Sequence, residues 1–142
     1  MVDIQVPNPQ SGTFTAVVND NNGVPSTVLD ANQDFKITCN WDLNVSLSQM
    51  LEGTFELSTY AEAIGAGVEA RIGFLSVAIV LGQQIYGPED VVVTANTLPD
   101  QTALLADESG TYKLITVLTH RNTAGTVSDV VAVEEGPFAR IS

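Results

Sequence analysis

The chain carries a single histidine, His120, and a single cysteine, Cys39, so the chemistries that depend on those side chains can be weighed one residue at a time. A Ser-His-acid mechanism would have to pass its proton through His120, which stands at the end of "GTYKLITVLTHRN" beside Arg121, and no Gly-x-Ser-x-Gly elbow accompanies it. A lone histidine at a strand end reads as an ordinary polar surface residue. Cys39 falls on the apolar side of "DFKITCNW". Burial there raises a thiol's pKa and shields it, so Cys39 reads as a small buried hydrophobe rather than a reactive thiolate. Neither an intrachain disulfide nor a zinc site of cysteines and histidines can be assembled from one of each.

Acid chemistry is no more specific. Seventeen Asp and Glu residues in 142 produce many chance spacings, so no glycosidase-like carboxylate pair stands out. The stretch "NDNNG" at 19–23 superficially matches a calcium loop, but aligning Gly23 with the loop glycine puts Val18 and Leu29 at the first and last ligand positions. An Asn-Gly turn explains it better. Loop carboxylates such as Asp30, Asp34 and Asp100 leave an irregular site as a minor alternative. Gly65 and Gly67 in "IGAGVEA" lack the later glycine and the helix of a phosphate-binding loop, and the "NVS" sequon at 44–46 is expected to be inert. The expectation is a protein that is not an enzyme and holds no cofactor and no metal.

Composition narrows the partners. A net charge of -12 repels nucleic acid and anionic membrane alike, and the acids are scattered as on a solvated surface. The longest apolar run, "IGFLSVAIVL" at 72–81, is about half the length that a spanning helix needs, so membrane insertion is not expected. The start "MVDIQVPNPQSG" lacks a basic region and an apolar core, which with the single cysteine points to a cytoplasmic location. At this length one hydrophobic core is expected: an extended arm over residues 1–12 and one domain over 13–142.

What must position any site is a set of strands. Period-two alternation recurs and helical periodicity is scarce, so the chain reads as all-β. In "DFKITCNW" Phe35, Ile37, Cys39 and Trp41 share one face; in "GTFELSTYAEA" Phe55, Leu57 and Thr59 oppose Glu56, Ser58 and Tyr60. In "GTYKLITVLTHRN", Tyr112, Leu114, Thr116 and Leu118 oppose Lys113, Ile115, Val117 and Thr119, so Ile115 and Val117 make the second face apolar too. That predicts a central strand partly covered on both sides. Further candidates are "TFTAVVN", "DVVVTAN", "VSDVVAVEE" and "FARIS", about seven in all, separated by turn residues such as "YGPED" at 86–90 and "NTAG" at 122–125. Residues 43–53 predict a loop with one helical turn.

The stretch "DESGTY" at 107–112 resembles the entry to strand F of immunoglobulin-like domains, and the order of strands resembles an immunoglobulin-like or fibronectin type III-like antiparallel β-sandwich. The resemblance implies a tyrosine corner in which the Tyr112 hydroxyl bonds back to nearby backbone. It places strand B near 34–41, C near 53–61, F near 110–120 and G near 127–135. The family's cross-sheet disulfide is missing, because Leu114 stands opposite Cys39 where a second half-cystine would be, and the tryptophan position of strand C falls near Phe55 or Leu57. The fold so implied hosts many roles and brings no functional residue with it.

Two features point to association. In "IGFLSVAIVL" Phe74 lies on one parity and Leu75, Val77 and Ile79 on the other, so either the 43–53 loop or another subunit covers the run. In the arm, Ile4 and Val6 alternate with polar residues ahead of Pro7 and Pro9, a pattern suited to pairing with a sheet edge of this chain or of a neighbour, or to a frayed end. The leading expectation is a non-catalytic structural or interaction module that forms homo-oligomers or docks on a larger protein assembly. The alternative is a small-ligand or glycan-binding domain with Trp41, Tyr60 or Tyr86 as the stacking platform.

Overall fold

A computed structural model describes residues 2–4 and 12–142, with backbone alone at 2–4 and 127–130. It is an all-β structure in two sheets. One sheet has the order β1-β2-β4-β7, formed by β1 (Val2–Ile4), β2 (Gly12–Asn19), β4 (Phe35–Leu43) and β7 (Ile85–Val93). The other has the order β3-β9-β8-β5-β6, formed by β3 (Val28–Leu29), β9 (Val127–Ile141), β8 (Glu108–Arg121), β5 (Thr54–Gly65) and β6 (Glu69–Ala78). All pairings are antiparallel except that of β3 with β9. The described strands number nine rather than about seven.

The alternation read from the sequence decides which side of each strand is buried. Phe35, Ile37, Cys39 and Trp41 of β4 face inward, as do Phe55, Leu57 and Thr59 of β5 and Tyr112, Leu114, Thr116 and Leu118 of β8. The buried side chains of both sheets form one cluster. At its centre Trp41 stacks on Tyr86 with ring centroids 5.3 Å apart and 2° between planes, while Phe55 of the opposite sheet meets both rings edge-on at 5.5 and 5.2 Å. Such offset and edge contacts contribute about 0.5–1.5 kcal/mol each beyond area burial. The two inward threonines satisfy one another, with the Thr59 and Thr116 hydroxyls 3.0 Å apart.

Two segments that read as breaks are continuous strand. "YGPED" lies inside β7, and "VSDVVAVEE" and "FARIS" join into β9. In each a Gly-Pro pair is absorbed as extra residues in the ladder: Cys39 and Trp41 pair with Glu89 and Tyr86, skipping Gly87 and Pro88, and Lys113 and Ile115 pair with Phe138 and Glu135, skipping Gly136 and Pro137. A bulge tolerates proline because the skipped residue owes no ladder hydrogen bond. Gly87 has φ +104°, and a Cβ there would lie 2.6 Å from the Cys39 carbonyl oxygen, so no other residue fits without a backbone shift.

The expected helical turn is α1 (Val45–Ser48), capped by the Asn44 side chain, which accepts a hydrogen bond from the Leu47 N–H at 2.8 Å. The acceptor of the "NVS" sequon is thus employed as a cap. "NDNNG" forms the turn after β2, in which Asp20 accepts from the Asn22 and Val24 N–H groups.

Candidate interaction surface

The outer faces of the two sheets differ in chemistry. On the four-stranded sheet outward polar residues bond to one another: Asp42 accepts from the Thr13 N–H and hydroxyl, both at 2.7 Å, Thr38 donates to Asp90 at 2.6 Å, and Asn19 donates to Thr38 at 2.7 Å, while Val17, Ile85 and Val92 stand exposed on the same face, each beside a polar residue of β4. Polar groups satisfied in this way present no unmet demand to a partner.

The five-stranded sheet is apolar at the centre of its outer face. Cross-strand register sets Phe74 of β6 beside Ser58 of β5, Ser58 beside Val117 of β8, and Val117 beside Val133 of β9. The next row runs Arg71, Tyr60, Ile115, Glu135, and the one beyond it Glu69, Glu62, Lys113, Phe138. Phe74 and Tyr60 are 44% and 40% exposed, Ile115 and Val117 half-buried, and Ser58 is buried although it points outward. Among the described residues nothing covers this face. Charges rim the patch: Lys113 pairs with Glu135 at 3.3 Å, Arg121 with Glu56 at 2.8 Å, and the Arg71 guanidinium lies 4.9 Å from the Phe74 ring centroid. Four of the five basic residues of the chain, Arg71, Lys113, Arg121 and Arg140, therefore sit on one face of a strongly acidic protein.

The residues singled out from the sequence divide around this surface. Of the apolar run, only Phe74 joins it. Leu75, Val77 and Ile79 are half-buried and pack against the core, the cover from within the chain that the sequence left open beside a subunit contact: β6 is an edge strand whose inner face is closed by the opposite sheet. Ile79 N–H donates to the Gly53 carbonyl and Gly82 N–H to that of Ser48, so the 43–53 segment supplies the neighbouring cover. Ile4 lies in β1, whose backbone pairs with Gly12 to Phe14 of the chain's own β2, while Val6 lies outside the described residues. Trp41 and Tyr86 are core residues and cannot serve as stacking platforms; Tyr60 alone of that trio is exposed. The strand β7, longer than expected, draws Tyr86 into the core.

The candidates for chemistry are held in structural work. His120 Nε2 lies 2.7 Å from the Glu52 carbonyl oxygen and its ring packs on Phe55. Cys39 is fully buried, and desolvation, then the charges of Asp90 and Glu89, push its thiol up to about 12. Asp34 accepts from the Ala95 N–H, and Asp30 from that of Asn32. Asp100 accepts from the Thr102 hydroxyl and from the Thr102 and Ala103 N–H groups, bonds that lower its pKa. No three His, Cys, Asp or Glu side chains gather as a metal site among the described residues. A groove of about 750 Å³ opens between the edges of β2 and β9, lined by Val17, Val28, Glu134 and Pro137 among others, with no histidine, cysteine or lysine in its wall.

Tyr112 is buried at the start of β8 beside Leu114, but its hydroxyl makes no hydrogen bond among the described residues, contrary to the expected corner. Burial, then the nearby Glu108 carboxylate, raise its pKa. No described helix is long and apolar enough to cross a membrane. Comparison with protein families, with curated proteins and with solved structures finds no match.

Proposed function

We propose that this chain is a non-catalytic interaction module that self-associates through the outer face of its five-stranded sheet. The observation that carries the reading is the row Phe74, Ser58, Val117, Val133 with Tyr60 and Ile115 beside it, an apolar centre rimmed by charge on a face that nothing in the described chain covers. Apolar patches of this kind, rimmed by polar groups, mark protein interaction sites. On the outer face of the other sheet the exposed apolar residues Val17, Ile85 and Val92 are each set beside a polar residue of β4 and form no such row.

We also read the architecture as an immunoglobulin-like sandwich. In favour stand the order β9-β8-β5-β6, which corresponds to strands G, F, C and C′, the order β2-β4-β7 opposite it, and a buried tyrosine at the start of β8. Against the usual pattern, the aromatic at the core of β5 is Phe55, and the tryptophan is supplied by β4.

Sedimentation equilibrium tests the function. The wild-type protein should exceed its 15.0 kDa chain mass in a concentration-dependent way. Val117→Asp, which buries a carboxylate at the patch centre on association but leaves it half-exposed in the monomer, should remain folded and monomeric. A wild-type protein that stays monomeric at every concentration reached would refute the proposal.

A further inference from the structure

We infer that two copies pair face to face about a two-fold axis lying in the interface and running along the boundary between β5 and β8, so that β6 of each copy opposes β9 of the other. The inference rests on the proposed interaction face and specifies its partner, a second copy, and the orientation of the pair. In a two-fold interface the same patch must complement itself, so each residue meets the one at its mirrored strand position. With the axis along the strands, every position in a row meets a position in the same row of the second copy.

The rows are complementary under that operation and not under the obvious alternative. Arg71 on β6 meets Glu135 on β9, and Lys113 on β8 meets Glu62 on β5, each contact occurring twice. Phe74 meets Val133, and Tyr60 meets Ile115, which keeps the apolar centre on itself. No like charges oppose in these rows. An axis running across the strands through the patch centre would instead set Glu62 against Glu56 and leave Arg71 and Glu135 facing apolar residues. Like charges juxtaposed across an interface select strongly against a pairing, so the electrostatics choose the first axis. The Lys113–Glu135 pair within each copy then becomes a four-member network with Arg71 and Glu62 of the second.

Charge reversal distinguishes the orientation from the face itself. Arg71→Glu and Glu135→Arg should each weaken self-association at least about tenfold, as expected when two close charge pairs become repulsive. An equimolar mixture of the two single variants should form a 1:1 heterodimer, because both cross-interface pairs are then opposite in sign. Thermal unfolding near that of the wild type verifies that each variant folds, and Lys113→Glu mixed with Glu62→Lys provides an independent second pair. If Val117→Asp abolishes association while both mixtures remain monomeric, the orientation is wrong and the face stands. If the wild type is monomeric, or Val117→Asp leaves its association intact, the face is wrong and the orientation falls with it.

Discussion

Cys39 makes stability depend on alkaline pH. Its folded pKa, about 12, lies above the unfolded value of 9.0, so the folded state holds the thiol proton more tightly. The contribution is complete below about pH 9 and is lost as pH rises toward 12, with a slope of at most about 1.4 kcal/mol per pH unit. Unfolding free energy should fall through that window in the wild type, and the part due to the thiol should vanish in Cys39→Ala; equal slopes would mean that the thiol ionises freely. The native thiol should also resist alkylation until denaturant is added. At Tyr112 the ring matters and the hydroxyl does not: Tyr112→Phe should change stability by less than about 0.5 kcal/mol, since no hydrogen bond is lost, whereas Tyr112→Ala should cost about 3–5 kcal/mol for the cavity left in the core. Denaturant midpoints of the two variants check this, and a loss of about 1–2 kcal/mol in Tyr112→Phe would reinstate the corner bond.

At the level of the strand, period-two patterning was legible because one buried face forces it, and Phe35 to Trp41, Phe55 to Thr59 and Tyr112 to Leu118 took the faces that their alternation dictates. The Gly-Pro pairs of β7 and β9 were not legible, because a glycine followed by proline has the same local signature whether the chain turns or bulges. Only the partner strand decides between them, by continuing its pairing on both sides of the skipped residues. Gly87→Ala should therefore destabilise by about 1–3 kcal/mol, from positive φ and from collision with the backbone of Cys39. Gly23→Ala shares the positive φ but has open space around its Cβ, and should cost less; equilibrium unfolding of the two measures the difference that the bulge makes.

For the whole molecule, charge opposes association even where the interface is complementary. Two copies each bearing -12 repel over a distance set by the Debye length, about 10 Å at 0.1 M salt and about 30 Å at 0.01 M. Self-association should accordingly tighten as salt is raised from about 0.01 to 0.1 M, because screening removes the long-range repulsion before it weakens contacts at close range. Sedimentation equilibrium at the two salt concentrations measures it. Tighter association at the lower salt would show that the short-range pairs outweigh the net charge.

The sequence alone determined the all-β class, the inward face of the main strands, the burial of Cys39 and Tyr112, and the short helical turn, because each depends on neighbours a few residues away. It also marked Ile115 and Val117 as unusual for an outward face. Which residues stand beside them was decided by tertiary structure: strand order brings Phe74, Tyr60 and Val133 from three other strands into the same rows, while the same order buries Tyr86 and packs Leu75, Val77 and Ile79 inward. Local periodicity carries the side on which a residue lies. Adjacency across a sheet is a long-range property of chain closure, and the candidate surface is made entirely of such adjacencies.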